Sequence, residues 1–366
     1  MFFFCHSNIL IKIKRCIIFV FKLKILIQSI SEFYFLSIYA LEHILLLKYI
    51  VLYRGRLEMS LGILFPGQGS QSIGMLSDLK VSYNIVSEVF EEASDILSCD
   101  LWKIVKNGPD KKINDTEFTQ PIMLCSAYSI WQIWNDEGGD APIFLAGHSF
   151  GEYTALCASK SLKFKDAVKL VKQRAICMKN APSGNMAAVI GIDYQVLKEI
   201  FEENTLTDVS IANINAPGQI VISGTKEGVL KLSELALEKD AKKVIPIPVS
   251  VAAHSSLMQD QSSVFKKQVD SVKFLMPEIP VINNVDVKIE NDEKPIKDAL
   301  VRQLYSSVRW VETIEFMEQQ GVDVLLELGP GKVLTSFNKR IDNSIKSMSV
   351  SDTKSLEIAL ESLSDI

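Results

Sequence analysis

Residues 142–158 read Pro142-Ile-Phe-Leu-Ala-Gly147-His148-Ser149-Phe150-Gly151-Glu152-Tyr-Thr-Ala-Leu-Cys-Ala158. The apolar run Pro142–Ala146 predicts a buried strand, and the residues from Glu152 onward favour a helix. Between them stands Gly-His-Ser-Phe-Gly, the G-x-S-x-G pattern of a nucleophile elbow in its proper strand-to-helix setting. The glycines permit a sharp turn that leaves the Ser149 hydroxyl exposed at the sheet's edge. The following helix offers free backbone N–H groups and the positive end of its dipole, both favourable to an oxyanion. The plain alternative, a Gly-bounded turn whose serine only caps a helix, is disfavoured by this context.

Outward from the elbow, Leu61–Phe65 is a short apolar run stopped by Pro-Gly, and Asp323–Leu328 is another, ended by Gly-Pro-Gly with a helix expected from Val333. Tyr83–Leu97 spaces its apolar residues as an amphipathic helix. Strands alternating with helices predict an α/β domain with a largely parallel sheet. The middle of the chain reads strand Asn185–Ile192, helix Asp193–Glu203, strand Asp208–Ile214, strand Gln219–Ser223, helix Lys226–Glu238 and strand Lys243–Val249. That β-α-β-β-α-β order is the order of a ferredoxin-like unit. The expected division is therefore a catalytic domain of residues 59–183 and 250–366, with a ferredoxin-like small domain of residues 184–249 inserted, and a ligand cleft between them.

Charge separates the first 58 residues from the rest. They hold eight Lys and Arg against three Glu, a net of +5, which leaves −10 on residues 59–366 of a chain whose total is −5. An acidic body argues against nucleic acid as a partner. Uncharged runs of the segment such as Ile25–Ser31 and Phe33–Leu41 fall short of the roughly 18 apolar residues of a spanning helix. It also lacks the cleavage site of a secretory signal. Three readings stay open: upstream translation before a start at Met59, which is preferred, a membrane anchor, or an organelle-targeting peptide. A cytoplasmic protein is expected, and as no long apolar stripe calls for a partner, a monomer.

None of the six cysteines forms a C-x-x-C pair, which fits a reduced protein without a structural metal. A serine needs a base to attack at neutral pH, and residues 59–366 offer only His148 and His254. His148 adjoins Ser149, and successive side chains project in different directions. By elimination His254, in Val249-Ser-Val-Ala-Ala-His254, is the expected base.

Several separated motifs together give the chain a family resemblance over about residues 61–340. They are Phe65-Pro-Gly-Gln-Gly-Ser-Gln71, Gly147-His-Ser-Phe-Gly-Glu-Tyr153, Asn215-Ala-Pro-Gly-Gln219, Pro248-Val-Ser-Val-Ala-Ala-His254, Asn283-Asn-Val-Asp-Val287, Val301-Arg-Gln-Leu-Tyr305 and Glu327-Leu-Gly-Pro-Gly-Lys-Val-Leu334. In this order they resemble the malonyl-CoA:acyl carrier protein transacylases of fatty-acid synthesis. The resemblance implies an α/β-hydrolase-like large domain carrying a ferredoxin-like one. It implies no permanently bound cofactor, malonyl-CoA as substrate, and a carrier protein that brings its own phosphopantetheine thiol. It assigns Ser149 as nucleophile and His254 as base and then acid. The backbone N–H groups of Gln68 and Phe150 become the oxyanion hole, Arg174 the clamp for the malonyl carboxylate, and the carbonyl of Gln303 the group that orients the base. A bulky apolar residue at Phe150 resembles malonyl-selective relatives. Ala252 and Ala253, where close relatives tend to have Pro and Ser, depart from the pattern and bear on acyl selectivity.

Two other readings compete. A serine esterase or thioesterase would share the elbow but has no use for a buried carboxylate clamp at Arg174. A non-catalytic carrier-docking module would not need the intact Ser149, His254, Arg174 and Gln68 set. Docking of an acidic carrier would need a local basic patch, for which Lys169, Lys172, Lys332, Lys339 and Arg340 are candidates.

Overall fold

The computed structural model describes residues 60–364, so the readings of residues 1–58 lie outside the described residues. Among the described residues nine strands run β1 Leu61–Phe65, β2 Phe144–Gly147, β3 Asn185–Ile190, β4 Val209–Ala216, β5 Gln219–Gly224, β6 Lys243–Ile247, β7 Val281–Ile282, β8 Val324–Leu328 and β9 Lys346–Val350. Five of them form a parallel sheet in the order β7-β2-β1-β8-β9. The other four form a separate antiparallel sheet in the order β4-β5-β3-β6. The architecture is thus mixed α/β with two sheets.

The parallel strands β1 and β8 are buried along their whole lengths, as expected where helices cover both faces of a sheet. Helix Asn84–Leu97 turns Val86, Val89, Phe90 and Ala93 inward, an i, i+3, i+4, i+7 stripe. Helix Thr116–Asp136 is buried over most of its length; Asp115 starts it by accepting the Glu117 N–H. The antiparallel sheet and its helices Tyr194–Asn204 and Lys226–Glu238 have a hydrophobic cluster of their own, built on Val189, Leu197, Ile200, Ile222 and Leu232. The chain enters and leaves this sheet along paired segments: Ser183 bridges Val251, and the Gly184 N–H donates to the Ser250 carbonyl.

Glu327, in the Glu-Leu-Gly-Pro-Gly motif, has a structural task. Fully buried, it accepts from the backbone N–H groups of Leu334 and Thr335 and from the Thr335 hydroxyl, which starts helix Val333–Ile341. The loop after β8 returns at Gly329, where an added Cβ would lie 2.4 Å from the Pro66 ring. It therefore backs the loop after β1. The loops that follow β1 and β2 come together at the carboxyl ends of adjacent parallel strands, where open α/β sheets place their ligand sites. Among the described residues no helix is long and apolar enough to cross a membrane.

Candidate active site

The elbow is built differently from the simple expectation that its glycines make the turn. Ser149 itself takes the left-handed conformation, with φ 54°. Gly147 and Gly151 are required by close approach instead. A Cβ on Gly147 would sit 1.9 Å from the carbonyl carbon of Gly151, and one on Gly151 would sit 2.4 Å from the Phe65 carbonyl oxygen. The strained serine stands between strand β2 and helix Gly151–Ala158. His254 is left-handed too, with φ 60°. Such conformations cost of order 1–3 kcal/mol each and cluster where a site over-determines the backbone.

These two strained residues face one another. Ser149 Oγ lies 2.8 Å from His254 Nε2. On the other side of the ring, His254 Nδ1 is 2.7 Å from the Gln303 carbonyl oxygen and 3.2 Å from that of Ser306. Carbonyl oxygens only accept, so the proton sits on Nδ1 and Nε2 is left to accept the serine proton. The ring is 3 % exposed. Burial, reinforced by the nearby Arg174 charge, lowers its pKa to about 3, so the imidazole is neutral at physiological pH. His148 turns away: its Nε2 lies 2.8 Å from Asn215 Oδ1 on the antiparallel sheet, its ring packs against Trp310, and burial lowers its pKa to about 4.

Arg174 comes from helix Phe164–Asn180 and is 1 % exposed. Its Nη2 donates to Ser149 Oγ and to Gln303 Oε1, both at 3.1 Å, and Nη1 donates to Gln120 Oε1 and Met178 Sδ at the same distance. Every one of these acceptors is neutral and Nε makes no hydrogen bond, while the buried Tyr153 and Glu152 side chains act on the guanidinium electrostatically. Among the described residues no carboxylate lies within ion-pair distance of the guanidinium. A buried cation without a direct ion pair is costly for the protein alone. It suits a substrate that carries its own carboxylate.

Gln68 is exposed, on the loop after β1. Gly67 holds this loop against the elbow, since a Cβ there would be 2.8 Å from the His148 carbonyl oxygen. The Gln68 side chain accepts from the Thr116 hydroxyl, which in turn accepts from Gln120 Nε2. A chain of polar contacts thus links the Arg174 cage to the Gln68 loop. Phe150 is 1 % exposed, with its side chain in the core and its backbone at the start of helix Gly151–Ala158. Ala252 is fully buried and Ala253 partly so.

Sequence reading gave no role to several residues that complete the site. Asn284 Oδ1 accepts the Ser149 N–H at 2.7 Å while its Nδ2 donates to the Gly147 carbonyl, so it clamps the elbow. Glu152, 3 % exposed, accepts from the Asn284 N–H at 3.0 Å and from Gln303 Nε2 at 2.7 Å. Burial raises its pKa to about 7 against the pull of those two bonds. Glu152, Asn284 and Asn215 stand inside motifs whose order was legible, although what they touch was not. Gln120 carried no signal, because nothing marks one glutamine on a long helix.

A serine within 2.8 Å of a neutral imidazole that carbonyls orient, beside a buried guanidinium without an ion pair, can support transfer of an acidic acyl group. Residues 63–359 match the acyl transferase domain, and the chain belongs to that family. The malonyl CoA-acyl carrier protein transacylase of Salmonella typhimurium is 43% identical over 300 residues, covering 81% of this chain and 97% of that protein. The Bacillus subtilis protein of the same name is 39% identical over 310 residues, covering 83% and 98%. Among solved structures, the acyl carrier protein S-malonyltransferase of Vibrio cholerae gives a TM-score of 0.80 at 44% identity, over 82% of this chain and 99% of that one. A malonyl-transacylase in complex with its type II polyketide acyl carrier protein gives 0.81 at 43% identity, over 83% and 99%. Within the acyl transferases, the chain belongs with the malonyl CoA-acyl carrier protein transacylases.

Proposed function

We propose that this chain transfers a malonyl group from malonyl-CoA to the phosphopantetheine thiol of acyl carrier protein for fatty-acid biosynthesis, as an [acyl-carrier-protein] S-malonyltransferase. The observation that carries the reading is the convergence on Ser149 Oγ of a neutral base at 2.8 Å and a buried guanidinium without an ion pair at 3.1 Å. Arg174 holds the malonyl carboxylate. His254 Nε2 takes the hydroxyl proton as Ser149 Oγ attacks the thioester carbonyl. The backbone N–H groups of Gln68 and Phe150 receive the oxyanion; one such donor is typically worth about 10²–10³ in rate. Collapse breaks the C–S bond, and the imidazolium returns its proton to the departing CoA thiolate. The carrier thiol then gives its proton to His254 and attacks the Ser149 ester, and the same steps in reverse leave the malonyl group on the carrier. Gln303, through its backbone carbonyl, holds the imidazole in the required tautomer, the task of the acidic member in other triads.

The fold reading that goes with this activity is an α/β-hydrolase-like catalytic domain, residues 59–183 and 250–366, carrying a ferredoxin-like domain, residues 184–249. The strand order β4-β5-β3-β6 supports the second part. The working compartment that goes with this reading is the cytoplasm. For the carrier, the proposed contact is helix Val333–Ile341, whose Phe337 ring lies 6.5 Å from that of His148 beside the site. Lys332 and Lys339 are exposed there. Lys172 is withdrawn from the candidate patch, because it is paired with Glu117 at 2.9 Å. Arg340 is engaged as well, donating to the Pro217 carbonyl and to Gln219.

The test is intact-mass spectrometry of residues 59–366 with malonyl-CoA and then with holo acyl carrier protein. A malonyl adduct should appear on the enzyme, pass to the carrier and be absent in Ser149→Ala. An adduct that decays to malonate without reaching the carrier would make the protein a hydrolase. A folded protein that forms no adduct would be a docking module.

A further inference from the structure

The geometry points to Glu152 as a positioning residue for acyl-group selection: its carboxylate holds the Gln303 side-chain amide with the oxygen toward Arg174. The inference rests on the malonyl reading above and adds a residue to it.

Gln303 is fully buried, and the two ends of its amide meet opposite demands. Nε2 donates to Glu152 Oε2 at 2.7 Å and to the Ser149 carbonyl at 3.1 Å, while Oε1 accepts from Arg174 Nη2 at 3.1 Å. An amide can flip, exchanging oxygen for nitrogen at almost no cost in shape. Here a flip would set the amide N–H groups against the guanidinium and the amide oxygen against a carboxylate and a carbonyl. The bond to Glu152 Oε2 is the shorter of the two that oppose a flip, and it is charge-assisted whenever the carboxylate is ionised. Glu152 thereby decides which end of Gln303 Arg174 meets, and so where the Nη2 that also reaches Ser149 Oγ is held. Glu152 makes no direct ion pair with Arg174, so its charge does not occupy the place of an incoming carboxylate. A buried carboxylate without a direct ion pair is expensive to keep.

A purely structural account is also available, because the same oxygen accepts the Asn284 N–H and Asn284 clamps the elbow. The two accounts differ in what they do to different acyl donors. Loosening the elbow slows malonyl and acetyl transfer to Ser149 alike. Releasing the Gln303 amide slows malonyl transfer more, because only the malonyl group uses the Arg174 clamp.

The experiment compares initial rates of Ser149 acylation from malonyl-CoA and from acetyl-CoA, by intact mass, in wild type, Glu152→Met and Glu152→Gln. Glu152→Met fills the space but accepts nothing, and the malonyl-to-acetyl ratio should fall by about tenfold or more, the worth of one such bond. Glu152→Gln keeps an acceptor oxygen and should hold the ratio within about threefold of wild type. An unchanged ratio in Glu152→Met, or a collapsed one in Glu152→Gln, overturns the inference. If Glu152→Met does not fold, Gln303→Leu removes the amide itself and must lower the ratio similarly; an unchanged ratio there overturns it too. Wild type that shows no malonyl preference refutes the underlying malonyl reading instead.

Discussion

Replacing Arg174 by methionine separates the roles of charge and of packing at this site, because the two side chains are similar in length and only one is a cation. Truncating one partner of a buried, hydrogen-bonded charge pair typically costs about 2–5 kcal/mol. At 1.36 kcal/mol per decade, malonyl transfer to Ser149 should fall by about 30-fold to 5,000-fold in kcat/KM. Acetyl-CoA brings no carboxylate to the clamp, so its rate should change by less than about tenfold, the loss of the 3.1 Å bond to Ser149 Oγ. Stability should move little. The change leaves Gln120 Oε1 and Gln303 Oε1 without their donor, at about 1–3 kcal/mol each. It also relieves a desolvated guanidinium that has no ion pair and only partial electrostatic support from Glu152 and Tyr153, which offsets much of that cost.

The assay is single-turnover acylation with each CoA ester by quenched-flow and intact mass, with a thermal melt alongside. Equal losses for malonyl and acetyl transfer would refute the clamp, whatever the melt shows. A large drop in Tm with the malonyl preference intact would make Arg174 a packing residue. A second readout is the pH profile: the Arg174 charge helps hold the His254 pKa down, so in Arg174→Met the acid limb of kcat/KM for acetyl-CoA should move upward. An unmoved limb would mean that burial alone sets it.

In the unaltered enzyme, His254 with a pKa near 3 predicts no loss of acetyl-CoA acylation around pH 6.5; an inflection there would contradict the neutral buried base. The linkage has the sign of a depressed group: stability is complete above 6.5, and this contribution is lost as pH falls from 6.5 toward 3, measurable by denaturant titration at stepped pH. Protonation of Glu152 near pH 7 can be carried on Oε1, leaving both bonds to Oε2 in place. Gly147→Ala, with its Cβ 1.9 Å from backbone, should cost at least about 3 kcal/mol in denaturation or prevent folding, whereas Gly138→Ala, in open space at φ 74°, should cost about 1–2 kcal/mol for its left-handed backbone. Lys332→Glu with Lys339→Glu should raise the KM for carrier protein and leave that for malonyl-CoA unchanged; an unchanged carrier KM removes helix Val333–Ile341 from the docking surface.

Local signals carried much of the fold. The strand expected at Leu61–Phe65 occupies those residues, and the expected Tyr83–Leu97 helix begins one residue later. In the middle of the chain every expected element is present within two residues at each end, because alternation and turn chemistry there act locally. The pairing order was a different matter. That β1 lies between β2 and β8, separated from them by tens and hundreds of residues, depends on the packing of helices, which no window of sequence contains. The site divides along the same line. Ser149 was legible because its geometry is written into five consecutive residues. His254 was legible only because just two histidines were available. Gln120, Asn284 and Glu152 were not, since their importance consists of contacts made across 54, 135 and 151 residues.

Those long-range contacts explain how two left-handed residues can be held so firmly. Neither Ser149 nor His254 would keep its backbone conformation unaided, and each is secured by groups the other needs. Asn284 takes the Ser149 N–H, and Gln303 takes the His254 Nδ1 proton on its backbone while its side chain donates to the Ser149 carbonyl. The same residue therefore orients the His254 ring and braces Ser149, and its side chain also meets Arg174. Removing the Gln303 side chain leaves the carbonyl behind, so Gln303→Ala should retain the His254 tautomer and lose the brace and the clamp contact together. Malonyl acylation should then fall further than acetyl acylation, with the imidazole pH dependence of acetyl transfer preserved. A shifted pH dependence in that variant would show that backbone and side chain of Gln303 are not separable, and that the base is oriented by the packing of the whole turn rather than by one carbonyl.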